Sequence, residues 1–422
     1  MALSRPRRGE RPEERPDERA DGRPDERPDE RPDEPEGERP SAWLGGRLTR
    51  RRAWGLAAAV VALAALAGTV VWLAGSDDRA LDEACDGVLA KDEVRAVLGD
   101  GEISVSNRTE GTFDAKAKGN GDADQANTLA VRCEVTADGK GSVRVNIEAG
   151  PRPRTRYGIA GRYTALPGRD TLAVPLGHGW SGVFGTDNVR QDDQEDGEGT
   201  TAVLLECAEG GTSLLVTVET KLGGVTLDDP AARPDFVRTA TATAEAANDH
   251  WGCGARLGKP VRTVGLPVNE DEYEPLLGAD GTCAGVPTAA RSAVSTARET
   301  ARDRAPRESC ALGARDGSPR YRLDAYYGPY AEEARAEYAD SPAQDGPNPA
   351  EAPSGRLGQS AYWASASCPD GAEDALFLVR ADGIEDDTRR KPDLAYERAA
   401  LRAFAQRSAQ EHGCGAPATP AR

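Results

Sequence analysis

Hydrophobic and polar positions divide the chain into three stretches of different character. Residues 1–52 carry the unit Arg-Pro-Asp-Glu at 15–18, 23–26, 27–30 and 31–34, with Arg-Pro-Glu-Glu at 11–14. Proline at every fourth position removes helix donors, and almost no apolar side chain is present to offset chain entropy, so this tail is predicted to be disordered. From Ala53 to Gly75 there is no charged residue, and Leu56 to Leu66 is alanine, valine and leucine only. At about 1.5 Å per residue this run makes about 34 Å of helix, enough to cross a hydrocarbon core of about 30 Å. It is predicted to be a transmembrane helix. Beyond it, alternating segments and helix-period segments intermingle, which is the pattern of an α+β protein.

The flanks of the apolar run orient it. Arg47, Arg50, Arg51 and Arg52 precede it and Asp77 and Asp78 follow it, which places the N-terminus in the cytoplasm and the long C-terminal part outside. Trp54 and Trp72 stand near its ends, where indole rings prefer the membrane interface. A cleaved signal peptide is the competing reading, with Ala65-Leu-Ala67 as a small-residue cleavage site. The leader of more than 50 residues and the length of the apolar run favour an uncleaved anchor.

The outer part repeats itself. Pro234-Asp-Phe-Val leads through an alanine-rich segment to His250-Trp-Gly-Cys-Gly, and Pro392-Asp-Leu-Ala leads through another to His412-Gly-Cys-Gly. Each reads as a helix with proline in its first turn and glycine past its end. Cys207 precedes Cys253, and Cys368 precedes Cys414, by the same 46 residues. Cys133 and Cys310 each begin a predicted hairpin with a glycine-containing turn and an alternating second strand, Val143 to Glu148 or Tyr321 to Tyr326. Lys91 to Gly99 reads as a short helix closed by glycine; its counterpart, Asn269 to Gly278, contains Pro275, which weakens a helix there. The expectation is α+β: one N-terminal transmembrane helix (53–75) followed by two tandem disulfide-stapled α+β sandwich domains, 80–255 and 256–416.

Charge and cysteines then narrow the class. The tail is balanced, so the formal charge of −18 (53 basic against 71 acidic residues) belongs to the remainder. A surface of that sign repels phosphate, which argues against nucleic acid and against docking on anionic lipid and leaves a cationic partner or simple solubility open. All eight cysteines follow the apolar run, four in each half, as an oxidising compartment would have them. Their wide spacing and the presence of three histidines in the whole chain disfavour zinc. The duplication suggests equivalent bridges, Cys133 with Cys207 and Cys310 with Cys368 across strands. Cys85 with Cys253 and Cys283 with Cys414 would tie the start of each half to its end. Four cysteines allow three connectivities per half, and Cys85 and Cys283 do not align.

The segment Leu81-Asp-Glu-Ala-Cys85-Asp-Gly-Val-Leu-Ala-Lys-Asp-Glu-Val-Arg-Ala-Val-Leu-Gly99 resembles the opening of actinobacterial cell-envelope, lipoprotein-like domains of unknown function. In those domains a cysteine, two apolar residues, a short acidic helix and a glycine precede a second cysteine-bearing strand, here that of Cys133. The resemblance covers residues 80–255 and, more faintly, the second half. It implies an envelope location and no particular chemistry.

Catalytic motifs are absent from the sequence: there is no His-Glu-x-x-His, no Gly-x-Ser-x-Gly and no phosphate-binding glycine loop. In Gly177-His-Gly-Trp-Ser-Gly-Val-Phe-Gly185, His178 and Ser181 suggest a base and a nucleophile. A glycine-rich turn into a strand with Trp180 in the core explains the same residues. Asp192-Asp-Gln-Glu-Asp-Gly-Glu-Gly suggests a calcium loop, but Val203 stands where an EF-hand needs its bidentate glutamate, and a solvated loop suffices. His250 and His412 read as cations near helix C-termini. No cofactor and no metal site is expected. The reading is an integral membrane protein with an outward binding or accessory module for an envelope protein, polymer or small ligand. A single-pass sensor with the tail as output is the alternative, and an envelope hydrolase comes third.

Overall fold

Both predicted cysteine-bearing hairpins form in the computed structural model, which describes residues 77–116, 127–150, 171–186, 196–209, 212–339, 348–357, 361–369, 374–382 and 393–420. The tail and the apolar run lie outside these. Among the described residues no helix is long and apolar enough to cross a membrane.

The first hairpin is β2 (Ala130–Ala137) with β3 (Gly141–Gly150). With β1 (Ile103–Glu110), β4 (Val174–Pro175), β5 (Gly182–Gly185), β6 (Asp196–Glu206) and β7 (Ser213–Gly223) it makes an antiparallel seven-stranded sheet, ordered β1-β2-β3-β7-β6-β5-β4. The second hairpin is β10 (Arg307–Gly313) with β11 (Pro319–Tyr326). It is joined by β8 (Glu274–Pro275), β9 (Thr296–Glu299), β12 (Ser354–Arg356), β13 (Ala361–Ala366) and β14 (Ala375–Ala381) in the order β8-β9-β10-β11-β14-β13-β12. Laid on one another, the orders match β1 with β9, β2 with β10, β3 with β11, β7 with β14, β6 with β13 and β5 with β12. Each sheet adds one short strand of its own, β4 or β8, at opposite ends. The internal similarity of the sequence is thus a similarity of topology.

Helices cover one face, the front, of each sheet. Helix α1 (Lys91–Leu98) has Asp92 and Glu93 in its first turn, where the dipole favours them, buries Val94 and Leu98 four residues apart, and ends at Gly99 with φ of 80°. Its counterpart shrinks to a 3-10 turn, Leu276–Gly278, after Pro275. Helix α2 (Arg233–His250) lies on β6 and β7 and buries Phe236, Val237, Ala240, Ala244 and Ala247. A third helix, α3 (Pro329–Ala339), follows β11 on the other face. Helix α4 (Leu394–Glu411) lies on β13 and β14, capped by the Asp393 carboxylate, which accepts from Tyr396 N at 3.1 Å. Glycines of the acidic stretch have a steric use here. A Cβ on Gly199 would sit 2.6 Å from Phe184 Cε2, and one on Gly197 would sit 3.0 Å from Phe236 Cζ. Residues 192–195 lie outside the described set; from Asp196 the chain is strand, paired throughout with β7, which is not the conformation of a calcium loop.

The backs of the sheets meet. Val183, Ala202, Leu204 and Leu215 from the first share one apolar cluster with Tyr326, Trp363, Leu376 and Leu378 from the second. Tyr330, Ala331 and Ala334 of α3 complete it. Each large side chain so buried contributes about 1.5–3 kcal/mol. Strands β6, β7 and β14 are therefore apolar on both faces, which explains their unbroken runs Ala202–Leu205, Leu214–Val216 and Ala375–Val379.

All eight cysteines are in disulfides, but the connectivity differs from the expected one. The bonds are Cys85–Cys133, Cys207–Cys253, Cys283–Cys310 and Cys368–Cys414, so Cys85–Cys253, Cys133–Cys207, Cys283–Cys414 and Cys310–Cys368 do not form. Sheet order is the reason. Strands β3 and β7 lie between β2, which carries Cys133, and β6, which Cys207 follows. Three strand spacings of about 4.8 Å exceed the reach of a disulfide, whose Cα atoms lie within about 7 Å. Strands β11 and β14 separate Cys310 from Cys368 in the same way. The bridges are still equivalent between halves, and none joins the halves.

Candidate functional site

The Gly177–Gly185 segment forms a clasp. His178, at φ of 57°, sits in a turn, and its Nε2 donates to Thr263 O at 3.1 Å. Lys259 N donates to His178 O, and Trp180 Nε1 donates to Lys259 O at 2.9 Å. The Trp180 ring is in the first core and lies over Gly258, where an added Cβ would come within 2.3 Å of it. Ser181 enters β5 and its carbonyl accepts from Leu204 N. His178 and Ser181 are thus used separately, and the turn holds the connecting segment 256–268 along the first half, where Leu172 pairs with Val268.

The two histidines at matching helix ends have different neighbours. His250 Nε2 lies 3.6 Å from Asp86 Oδ2 at the surface. His412 is largely covered, stacks on the Tyr327 ring at 3.5 Å, and bonds Glu308 Oε1 through Nε2 at 3.0 Å. Ser408 Oγ donates to Glu308 Oε2 at 2.7 Å and meets Tyr327 OH at 2.5 Å. Serine, histidine and carboxylate are together, but the carboxylate stands between the other two. A nucleophilic serine must instead pass its proton to the imidazole and face substrate. Ser408 does neither, being fully buried, and burial pushes the Tyr327 hydroxyl upward. This cluster fastens the end of α4 to β10.

Two buried carboxylates escape any reading of motifs. On the back of the second sheet, Asp324 accepts from Arg322 Nε at 3.1 Å, Ser309 Oγ at 2.6 Å and Arg380 Nη2 at 3.2 Å. Burial alone would raise its pKa, yet Arg322, Arg380, Arg307 and the Ser309 hydroxyl hold it well below the usual carboxylate range. Its signal in the sequence, Tyr321-Arg-Leu-Asp-Ala-Tyr326, is the alternation of a strand with a solvated face; the packing of α3 covers that face.

Glu397, in the first turn of α4, is fully buried, and among the described residues neither carboxylate oxygen has a hydrogen-bond partner. Burial pushes its pKa up to about 7, and the attraction of Arg356 does not cancel this. A carboxyl whose pKa is raised on folding stabilises fully below its unfolded value of about 4.3, and that share is lost as pH rises through the folded value. Glu397→Gln is therefore expected to raise unfolding free energy on the order of 3 kcal/mol at pH 8 and to change little at pH 4. Urea titrations of the two proteins at both pH values check this; an equal gain at both would remove the titration as its cause.

On the back of the first sheet Arg132 and Arg144 are exposed and Glu134, Thr136 and Asn146 are half-buried, and no described strand pairs with the outer edge of β1. Arg144 bridges Glu134 at 3.1 Å and Glu219 at 2.9 Å, so a charged row crosses β2, β3 and β7. The orientation of β1 follows from its register. Ala149 N donates to Leu129 O, so odd residues of β2 face β3 and even ones face β1. Ser104, Ser106, Arg108 and Glu110 pair with those even residues. The peptide groups of Ile103, Val105, Asn107 and Thr109 point to the other side, where no described strand pairs. Among the described residues no cluster of acidic, histidine or cysteine side chains is placed to hold a metal.

These features define a class, a fused pair of topologically matching, disulfide-bearing α+β halves. No known family, curated protein or solved structure matches the chain.

Proposed function

We propose that this chain is a single-pass membrane protein whose residues 80–416 form a rigid binding or accessory module outside the cell. The division of surfaces in the first sheet carries the reading: the back of β5–β7 is buried against the second half, while Arg132 and Arg144 on the back of β2 and β3 are exposed and, among the described strands, none pairs with the outer edge of β1. A body that hides its apolar faces internally and keeps one polar face open is suited to recognition. Four disulfides support an oxidising compartment. The uncharged run Ala53–Gly75, with arginines before it and aspartates after it, supports an anchor with the tail in the cytoplasm. The partner is an envelope protein, an envelope polymer or a small ligand.

The lysines permit a direct test, because none occurs before Lys91. A membrane-impermeant, amine-reactive crosslinker applied to intact cells is expected to modify Lys91 and Lys140 and to capture envelope components. Deleting residues 53–75 should release the chain from the membrane fraction. Modification of these lysines only after lysis would overturn the topology and the reading with it.

A further inference from the structure

The open edge of β1 differs from the other sheet ends. The remaining terminal strands are β4 and β8, two residues each, and β12, three residues; β1 runs for eight. It has no proline and no lysine, and its side chains are mostly exposed on both faces. Such an edge is a template for another strand, and proteins that keep one unpaired usually shorten, charge or cover it. Here it is kept long. We propose that β1 pairs antiparallel with β1 of a second copy, joining two first-half sheets across a two-fold axis. The proposal rests on the membrane-anchored reading given above.

Three observations favour a second copy over a foreign strand. The first is register. With Ser106 opposite Ser106 of the other copy, Ile103 faces Thr109 and Val105 faces Asn107, twice over by symmetry. This alignment satisfies every outward peptide group of β1 from within the strand itself. Moving it by two residues one way would set Ile103 against Gly111, whose φ of 75° ends the extended backbone, and the other way would set Thr109 against Gly101, outside the strand. The second is charge. On the solvent face Arg108 stands opposite Ser104 of the other copy and diagonal to its Glu102, and it bridges Glu110 of its own strand, so an arginine flanks the Glu110–Glu102 pair that this register places at each end.

The third is tethering. The turn Ala84–Gly87 lies against β1, and just before it Asn107 Nδ2 donates to Glu83 O at 3.3 Å. The uncharged run ends at Gly75, eight positions before Glu83. Two copies anchored in one bilayer meet at a raised effective concentration. With one long open edge among the described strands, the contact is isologous and closes at a dimer.

The full-length protein in its own membrane tests this. Ser106→Cys, oxidised briefly on intact cells, is expected to give a covalent homodimer, and Lys140→Cys, in the exposed β2–β3 turn, is not. Adding Thr109→Pro to Ser106→Cys removes an outward peptide donor but no bond to β2, and is expected to cut the crosslink at least tenfold. If the thiol introduced by Ser106→Cys reacts with an impermeant reagent but forms no homodimer, or is captured only by another protein, the pairing is wrong and the outward topology stands. If that thiol is inaccessible from outside, both fall. An undiminished crosslink in the proline variant would overturn the edge-to-edge geometry.

Discussion

Asp324→Ala is expected to lower the unfolding free energy by about 3–5 kcal/mol, the cost of removing one member of a buried ion cluster. The carboxylate is fully buried and has three charged or polar donors around it. Taking it away leaves the Arg322 guanidinium, itself buried, beside Arg380 without the negative charge that offsets both. A surface control, Glu134→Ala, removes one contact of the exposed Arg144 and should cost less than about 1 kcal/mol. Urea unfolding of the detergent-solubilised chain separates the two. The acid limb supplies a second readout. A carboxylate whose pKa is depressed on folding stabilises above its unfolded value and loses that contribution as pH falls through the folded one. The wild type should therefore lose stability below about pH 4 more steeply than the alanine variant. Equal costs for Asp324→Ala and Glu134→Ala would mean that the cluster is solvated and that α3 does not seal it.

What each strand faces decides how much of the fold is legible in the sequence. Local signals were legible: the glycine after α1, the proline that reduces its counterpart to a 3-10 turn, the two cysteine-bearing hairpins, and Trp180 as a core residue in a glycine-rich turn. Each depends on a few neighbouring residues. The back-to-back burial was harder, because Arg322 and Asp324 alternate with apolar residues as on any solvated strand. Only the unbroken apolar runs of β6, β7 and β14 carried a signal for it. The open edge of β1 was illegible for another reason: strand order is a non-local property, and no residue in Ile103–Glu110 says whether a neighbour lies on one side or two. The disulfides fall between these cases. The equal 46-residue spacings of Cys207–Cys253 and Cys368–Cys414 are the bridges themselves. A spacing that recurs in both halves is compatible with duplication alone and with a loop closed by a bond, and only the strand order separates the two.

The connectivity has an energetic signature that a mutational cycle reads directly. In the chain-entropy description, a bond closing a 46-residue loop stabilises by about 4 kcal/mol. Replacing both Cys207 and Cys253 with serine removes that one bond and should cost about this much. Replacing Cys368 and Cys414 should cost the same within about 1 kcal/mol, since the loop has the same length. Replacing Cys85 and Cys253 together has a different consequence. It breaks two bonds, of 48 and 46 residues, and strands Cys133 and Cys207 on chain segments with β3 and β7 between them. The cost should then approach about 8 kcal/mol, the size of a whole domain's stability, so this variant is expected not to fold. Were Cys85 bonded to Cys253, the ranking would invert: the Cys85/Cys253 variant would be the milder one and the Cys207/Cys253 variant would break two bonds. Expression level, free-thiol titration and denaturant midpoint of the three double variants therefore fix the pairing without a peptide map. They also test the sheet order, because the bonds follow from which strands lie between the cysteines.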